Sequence, residues 1–384
     1  MENINIILNY NSDDINCTSY NVAYPDPSTH WISIVGFTTY YTIIFILGLI
    51  GNFYILILTI KYKTLQSVQN IFILNLSIAD IFLCLTSIPV TPLVNIQKEW
   101  IFGEIGCRVS GAIQAISIFI STYSLCAISI DRYYRLIESP NTALTKVQAI
   151  IATLTIWLVS VILTFPYVYN MKLVSYDEIC GFFCTEAWES NKYRQIYTIV
   201  LLFFQAVLPF CIMAICYHQI FSTLHNRANS KILSITQQVN LLSMLTSTVG
   251  NDVCINKLEV NKLIEKRKKI MSQKKKITII LVLMVLIFAV ASLPLNIVSI
   301  LTEIESHNIF ELNDGTDLTY LINIIVHAIA MIVCITNPLL YALLNPEFRI
   351  MVMKSLNCYI SAFNLGGNSM YFSNHNNEND HDFV

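Results

Sequence analysis

Long stretches without a charged residue recur along the chain, separated by short polar segments. Seven of them are long enough to cross a hydrocarbon core of about 30 Å as a helix, which takes about 20 residues. They are Ile32–Ile60, Thr64–Gln97 (interrupted only by Asp80), Val109–Ile130, Val147–Met171, Gln195–Leu224, Ile277–Thr302 and Leu318–Pro346. The pattern therefore predicts an all-α membrane protein, a bundle of seven transmembrane helices.

The third stretch combines hydrophobic length with a polar stripe. Four polar residues recur along it at spacings of three and four, namely Gln114, Ser117, Ser121 and Ser124. Residues at this spacing share one face of a helix, and a buried polar group needs a partner. We therefore predict that this helix lies at the centre of the bundle. Cys107 marks one of its ends, and the Asp-Arg-Tyr triplet at 131–133 marks the other.

Composition and charge agree with a membrane protein. Hydrophobic residues make up 55% of the chain and charged residues 12%, a balance that soluble domains do not have. Basic residues concentrate in the segment 225–276, whereas acidic residues gather before the first stretch and within 303–317. Because cytosolic loops carry an excess of Lys and Arg, we expect the N-terminus outside and the C-terminus in the cytosol.

The seven stretches divide the chain into three parts. We expect residues 1–31 to form an extracellular N-terminal segment and 32–346 the seven-transmembrane domain, with a third cytosolic loop at 225–273. Residues 347–384 would contain a short eighth helix followed by a disordered cytosolic tail. Within the loop, the basic run Lys266–Lys276 predicts a helical extension of span six at the membrane surface.

Asp80 is the one acidic residue inside the seven stretches. A carboxylate surrounded by hydrocarbon is costly and marks a functional site by default. It requires either a cation or a cluster of hydrogen bonds, and Asn52, Ser121 and Asn337 are candidate partners at similar depth. One interpretation is a sodium ion held by Asp80 and Ser121. The other is a structural hydrogen-bond cluster without an ion.

Four of the eleven cysteines face the outside in this topology: Cys17, Cys107, Cys180 and Cys184. An oxidising exterior favours disulfide formation between them. We expect Cys107 to tether the loop between spans four and five, through Cys180 or Cys184, and Cys17 to pair with the remaining loop cysteine. An acceptor sequon begins at Asn16, which makes that residue a candidate for glycosylation.

One motif in each stretch matches a known family, in order along the chain. The motifs are Gly51-Asn52; Asn75-Leu76 with Ala79-Asp80; Asp131-Arg132-Tyr133; Trp157; Pro209 with Tyr217; Phe288 with Pro294; and Asn337-Pro338-Leu339-Leu340-Tyr341. Through them the chain resembles the rhodopsin-like G-protein-coupled receptors over residues 32–358. The resemblance implies a plasma-membrane receptor, not an enzyme, which activates a heterotrimeric G protein and contacts arrestin.

The same resemblance implies roles for residues at the cytosolic end of the bundle. Arg132 would leave Asp131 to meet the G protein, while Tyr217 and Tyr341 rearrange beneath it. Further positions at which the family's activation motifs stand are Tyr133, Phe288, Pro294, Asn337 and Pro338. Phe348 would belong to the amphipathic eighth helix, and Cys358 occupies a position at which many members are palmitoylated.

Residues near the outer end of the bundle resemble the neuropeptide Y and RFamide-type receptors. The resemblance rests on the loop 100–107, on Gln114 where aminergic receptors carry Asp, and on Glu303 and His327. It implies that Gln114 and Glu303 bind an amidated Arg-aromatic peptide end, with Trp100 and His327 in the same site. The alternatives are a solvated loop carboxylate for Glu303 and a hydrogen-bonded interhelical histidine for His327. The resemblance also favours Cys184 as the partner of Cys107.

Two departures from the family leave other functions open. Ser292 stands where the family carries a Trp before the proline of span six, and Pro140 lies one residue later than is common. The open alternatives are a chemokine-type or other peptide receptor, and a decoy or scavenger that binds ligand without signalling. We expect no nucleic-acid partner and no cofactor other than the sodium ion.

Overall fold

The computed structural model describes residues 17–24, 26–138, 143–226, 253–304, 310, 316, 318–344 and 348–354. Within this part of the chain, seven helices are long and apolar enough to cross a membrane. They are α1 (Trp31–Lys61), α2 (Val68–Gln97), α3 (Gly103–Ile137), α4 (Lys146–Asn170), α5 (Asn191–Asn226), α6 (Val253–Ile304, apolar over Thr278–Glu303) and α7 (Thr319–Ala342). The predicted seven-helix membrane fold is confirmed.

Helix α3 lies at the centre of the bundle, as its polar stripe predicts. It packs against α2 and α4 and also contacts α5 and α6. Ser124 Oγ accepts a hydrogen bond from Asn75 Nδ2 (2.8 Å), and Asn75 Oδ1 accepts one from the indole N–H of Trp157 (2.8 Å). These bonds satisfy buried polar groups of α2, α3 and α4 at once, so they fix the three helices relative to one another.

The outward faces of the helices remain apolar. On α4, for example, Ile151, Leu154 and Leu158 are all exposed. A continuous apolar surface of this kind is typical of a protein that contacts lipid or another apolar partner. The inward faces instead form two buried apolar clusters, the larger of which surrounds Tyr217 and Phe288.

Three of the spanning helices are irregular. α2 is interrupted at Thr86, and α7 at Ile332. In α5, residues Phe203–Val207 form a π-helical turn, which weakens the regular backbone hydrogen bonding at that point. The hydroxyl of Tyr123 on α3 donates to the carbonyl of Phe204 (2.9 Å) and so supplies a partner within the widened turn.

An antiparallel hairpin, which the sequence analysis did not predict, connects α4 to α5. Its strands are β1 (Met171–Tyr176) and β2 (Ile179–Glu186). One disulfide joins Cys184 of β2 to Cys107 in the first turns of α3 (S–S 1.91 Å), and another joins Cys180 of β2 to Cys17 (1.99 Å). We call this end of the bundle the disulfide end and the opposite one the Asp131 end.

The N-terminal residues 17–24 and 26–30 lie against the hairpin and the end of α7. The Thr18 N–H donates to the carbonyl of Glu178 (2.8 Å), and the Cys180 N–H donates to the carbonyl of Thr18 (3.1 Å). Beyond this bridge, the ring of Tyr20 packs between Phe183 and Tyr320, with centroid distances of 5.8 and 5.4 Å. The N-terminal segment therefore forms part of the wall at the disulfide end.

Two features at the Asp131 end bear on the sequence predictions. Helix α6 begins at Val253, well before the extension predicted from Lys266. Residues 348–354 are helical, at the position predicted for the eighth helix. Phe348 is buried there, and its ring lies 4.7 Å from that of Tyr341 between centroids, which anchors this short helix to α7.

Candidate ligand cavity and signalling site

A cavity of about 520 Å³ opens at the disulfide end, between α2, α3, α7 and β2. Three residues predicted to bind ligand line it, namely Trp100, Gln114 and His327. Three further aromatic rings, those of Tyr167, Phe183 and Tyr320, belong to the described lining. An apolar cleft of several hundred Å³ that carries a few polar groups is the usual form of a ligand site.

His327 is buried in α7 and makes contacts on both sides of its ring. Nδ1 lies 2.8 Å from the hydroxyl of Tyr41 on α1, and Nε2 lies 2.7 Å from Oγ of Ser87 on α2. These two contacts agree with the second interpretation of His327, a hydrogen-bonded interhelical histidine. The ring also borders the cavity. Its bonds position α1, α2 and α7 around the floor of the cavity.

Trp100 is held in the loop between α2 and α3. Its backbone N–H donates to the carbonyl of Phe182 on β2 (2.6 Å), and its indole N–H donates to the carbonyl of Gly103 (2.8 Å). The hairpin is thereby clamped to this loop. Because both donors bond to backbone carbonyls, Trp100 contributes its ring, rather than its N–H groups, to the cavity.

Glu303 has a partner within the protein that the sequence analysis missed. Its Oε1 accepts a hydrogen bond from Nε of Arg194 on α5 (2.8 Å), and its carbonyl accepts one from Gln195 (3.1 Å). Glu303 does not belong to the lining of the cavity as the structure describes it. Its placement thus differs from both expectations, a ligand partner and a solvated carboxylate, because Arg194 projects from the neighbouring helix.

Glu186 lies close to the same arginine. Burial raises the pKa of Glu186, while a hydrogen bond from the indole of Trp188 (2.7 Å) and the positive charge of Arg194 oppose that rise. The negative charge of Glu303 raises this pKa further. One arginine therefore neutralises part of the charge of two carboxylates at the tops of α5 and α6.

A buried ion pair closes the other side of the cavity. The Nζ of Lys98 lies 2.6 Å from Asp26 Oδ2 and 2.6 Å from Ser28 Oγ, and sits 3.9 Å from the ring centre of Tyr320. Lys98 occupies the left-handed backbone region (φ 58°) at the end of α2. Burying two charges is costly unless they are paired and hydrogen-bonded, so this contact specifies where the N-terminal segment lies.

Inside the membrane-spanning region, Asp80 is fully buried in α2. Its Oδ2 accepts a hydrogen bond from Asn337 Nδ2 of α7 (3.0 Å). Within the described residues, Asp80 Oδ1, Ser121 Oγ and Asn52 Oδ1 are buried without a hydrogen-bond partner. One carboxylate with neutral oxygens suits a hard cation, so these residues fit a sodium ion. The described part of the chain contains no cluster of three or more His, Cys, Asp or Glu side chains that could hold a metal ion.

At the Asp131 end, the buried carboxylate of Asp131 is paired with Arg135. Arg135 Nε lies 2.8 and 3.0 Å from the two carboxylate oxygens, and its Nη2 donates to the carbonyl of Leu144 (3.1 Å). The family resemblance had instead implied that Asp131 holds Arg132. Residues four apart on a helix share a face, whereas the side chain of Arg132 projects about 100° away around the axis.

Arg132 points to other groups at this end. Its Nε is buried without a hydrogen-bond partner in the described part of the chain, and Asp131, Tyr217 and Tyr341 all lie close enough to act on its charge. The hydroxyl of Tyr341 donates to Asn70 Oδ1 (2.7 Å), whereas that of Tyr217 is buried and has no partner among the described residues. The structure thus brings together the arginine and the two tyrosines named from the sequence.

The remaining motif residues lie at separate points of the bundle. Phe288 is buried on α6, six residues before Pro294, and its ring lies 6.2 Å from that of Phe210 between centroids. Pro338 packs so closely on α1 that a Cβ at Gly51 would lie 2.8 Å from its ring. Tyr133 is half-buried at the edge of the larger apolar cluster. Asn16, Pro140 and Cys358 lie outside the described residues.

The comparisons with known proteins agree with this architecture. Residues 51–341 match the family described as 7 transmembrane receptor (rhodopsin family). The chain belongs to that family, and it is therefore a multi-pass membrane receptor. The sequence-based assignment of the family is confirmed.

Individual relatives are more specific. The chain is 40% identical to neuropeptide receptor npr-1 of Caenorhabditis elegans over 348 residues, 88% of this chain and 76% of that protein. It is 27% identical to neuropeptide Y receptor type 4-2 of Homo sapiens over 326 residues (82% and 77% of the two chains). It is 28% identical to neuropeptide Y receptor type 4 of Mus musculus over 321 residues (81% and 76%).

Proposed function

We propose that this protein is a plasma-membrane receptor, with its N-terminus outside, that converts the binding of an extracellular peptide into activation of a heterotrimeric G protein. The observation that carries the proposal is the cavity at the disulfide end, where Gln114 and Trp100 line an aromatic-walled cleft. The relatives are named as neuropeptide receptors, which agrees with a peptide as the ligand.

The chemistry of the cavity favours an amidated peptide end with an aromatic side chain. The side-chain amide of Gln114 has both a donor and an acceptor, so it can bond both atoms of a terminal carboxamide. The rings of Tyr167 and Phe183 offer edge-to-face contacts to an aromatic residue. A cavity of about 520 Å³ accommodates the last one or two residues of a peptide, while the rest would lie across the hairpin.

The orientation follows from charge. The part of α6 that precedes its apolar section carries Lys266, Lys268, Lys269 and the run 274–276, whereas Glu186 and Glu303 lie at the disulfide end. Lys-rich flanks remain on the cytosolic side of a membrane. The Asp131 end is therefore assigned to the cytosol and the disulfide end to the exterior, which also suits disulfide chemistry.

Binding would act through a shift between pre-existing conformations. A peptide that contacts α3, α7 and the hairpin favours the arrangement in which the Asp131 end is open to a G protein. Pro294 removes a backbone hydrogen bond in the middle of α6, which makes that helix a natural place to bend. Arg132, Tyr217 and Tyr341 would then face the G protein, and arrestin would use the same opening.

We propose that Asp80 and Ser121 hold a sodium ion. Asp80 Oδ1 and Ser121 Oγ would bind it, with Asn52 Oδ1 nearby, since all three atoms are buried and lack another partner among the described residues. The ion would supply a positive charge to balance the buried carboxylate. Because Asp80 also accepts a bond from Asn337 on α7, occupancy would stabilise one arrangement of α2 and α7.

A peptide screen with a direct G-protein readout tests the proposal. The receptor is expressed in cells with dissociation reporters for each G-protein class and exposed to a library of amidated and free-acid peptides. We expect activation by amidated peptides and little response to their free-acid twins. A receptor that binds labelled peptide at the cell surface without dissociating any G protein would instead be the decoy.

A further inference from the structure

Glu99 is a carboxylate that lines the cavity and has no side-chain partner in the described part of the chain. It lies in the loop that follows α2, two residues after Gln97 and beside Trp100. Among the described residues it forms no ion pair, and no side-chain hydrogen bond to it occurs. Lys98 and Glu99 are the charged residues of the described lining, apart from His327.

The neighbouring cation does not neutralise Glu99. The Nζ of Lys98 is turned away into the contact with Asp26 and Ser28, at 2.6 Å from each, and its side chain has no exposed surface. Lys98 and Asp26 therefore cancel one another, and the carboxylate of Glu99 sets the net charge of the cavity. A cleft that carries one sign of charge attracts ligand groups of the opposite sign.

The hairpin holds this carboxylate in place. Gly181 lies directly on Glu99: a Cβ at Gly181 would lie 2.5 Å from Glu99 Oε2 and 3.1 Å from its Cβ. Gly181 also has a φ of +102°, a backbone conformation that L side chains rarely adopt. The next residues, Trp100 and Phe182, are joined by a backbone hydrogen bond of 2.6 Å. The carboxylate is thus confined between the loop and β2.

Glu303 is a less favourable partner for a ligand cation than Glu99. For a ligand cation to bind it, the existing pair with Arg194 must first break, and that pair is only 26% and 15% exposed on its two sides. Breaking a partly buried ion pair leaves another charge unpaired. A cation that binds Glu99 breaks no existing contact in the described chain.

We propose that Glu99 is the ligand-binding carboxylate of this receptor and receives the guanidinium or ammonium group of a cationic peptide. This assignment rests on the proposed peptide-receptor function. It adds the charge of the ligand and the wall of the cavity that recognises this charge. A ligand bound in this way lies toward α2 and the hairpin, rather than toward the tops of α5 and α6. The charged group would sit beside the indole of Trp100, whose face also attracts cations.

Two labelled peptides test the assignment. One ends in Arg-Phe-amide, and its twin carries citrulline, a neutral shape-mimic of arginine, in place of that Arg. Binding is measured on membranes that contain wild type, Glu99→Gln, Glu303→Gln or Glu178→Gln. Glu178 is an exposed acid at the turn of the hairpin, so the last variant reports on general loss of surface charge. Surface expression normalises all four.

We expect Glu99→Gln to weaken the Arg peptide by about tenfold or more, as for loss of a charge-assisted hydrogen bond. The citrulline peptide should bind wild type and Glu99→Gln alike, and both peptides should bind the other two variants within about threefold of wild type. An equal loss of both peptides in Glu99→Gln, or a loss confined to Glu303→Gln, overturns the assignment.

The outcome is separable from that of the proposed function. Wild type that binds neither peptide, or binds both equally, also overturns the role of Glu99 as a cation partner. The peptide-receptor proposal is judged on the library screen, which contains peptides without any basic residue. A G-protein response to such a neutral peptide would leave that proposal standing while removing this one.

Discussion

The pairing of Asp131 with Arg135 predicts an unusual response to mutation at the Asp131 end. Arg135→Gln removes the charge that holds the buried carboxylate while keeping a side chain of similar length. Asp131 would then be left unpaired, unless Arg132 on the same helix turns toward it. We expect that turn to occur, and it takes Arg132 away from Tyr217 and Tyr341. Nucleotide exchange on the G protein in the absence of peptide should fall.

The magnitude follows from burial and geometry. The Asp131 carboxylate is 0% exposed and Arg135 is 37% exposed, and Nε of Arg135 reaches both carboxylate oxygens. Hydrogen bonds to charged groups contribute about 1.5–3 kcal/mol, and the exposure of the arginine reduces this to about 1–2 kcal/mol. That is a roughly five- to thirtyfold shift in the population with Arg132 turned inward. Basal exchange should fall by a similar factor.

The assay is binding of a labelled GTP analogue to membranes that contain the receptor and purified G protein. Asp131→Asn is the matched variant. Because the ion pair of Asp131 is with Arg135 and not with Arg132 in the described part of the chain, neutralising Asp131 should leave basal exchange within about twofold of wild type. The double variant Asp131→Asn/Arg135→Gln should return to the wild-type level, since no buried charge remains to recapture Arg132. Surface expression and peptide affinity serve as controls for folding.

Two results would refute this reasoning. A rise in basal exchange in Asp131→Asn would mean that Asp131 restrains Arg132 in the resting receptor after all. An unchanged exchange rate in Arg135→Gln, at equal surface expression, would mean that the ion pair has no bearing on the position of Arg132.

Three further predictions concern the rest of the molecule. Agonist affinity should change when sodium chloride is replaced by choline chloride in wild type but not in Asp80→Asn; an affinity in wild type that is indifferent to sodium contradicts the ion site. Cys17→Ser, Cys180→Ser and the double variant should lower the melting temperature by the same amount, because each removes one and the same disulfide, and additive losses would disprove this. Burial raises the pKa of Glu186 in the folded protein, so the fold is more stable when this carboxyl group is protonated. That extra stability is fully present below the pKa of the unfolded chain and is lost as the pH rises through the folded pKa. The melting temperature of wild type relative to Glu186→Gln should therefore increase from about pH 7 to about pH 5, and a decrease would show that the carboxylate is stabilised.

Most of the architecture could be predicted from the sequence, because a membrane allows few kinds of spanning structure. Uncharged runs of sufficient length must be helices, and the described residues form seven such helices. The polar stripe of α3 indicated its central place for the same reason, since Ser124 finds a partner in Asn75. What the sequence could not reveal is the hairpin, because its strands lie in a loop whose short apolar alternation resembles many loops.

Contacts between charged side chains were the least predictable part. The partner of Glu303 lies 109 residues earlier on another helix, and no local pattern reports such a distance. Arg135 is different, because its position four residues after Asp131 is a spacing at which helical ion pairs form. The spacing of Asp131 and Arg135 therefore indicated an ion pair, whereas the family motif favoured Arg132 as the partner of Asp131. Glu99 was likewise readable as the acid beside Trp100, but its importance depends on where Lys98 turns.

The widened turn at Phe203–Val207 affects how this chain should be aligned with other receptors. A π turn contains one residue more than the regular turn it replaces. Every side chain of α5 before this turn is therefore rotated by about 100° about the helix axis, relative to an uninterrupted helix. Position-by-position transfer of lipid-facing and cavity-facing residues onto a relative that lacks the turn will therefore be one residue out of phase over 191–202. An alignment should open a single-residue gap opposite Phe204, whose carbonyl Tyr123 binds, and helix-facing substitutions in α5 should be chosen only after that gap is in place.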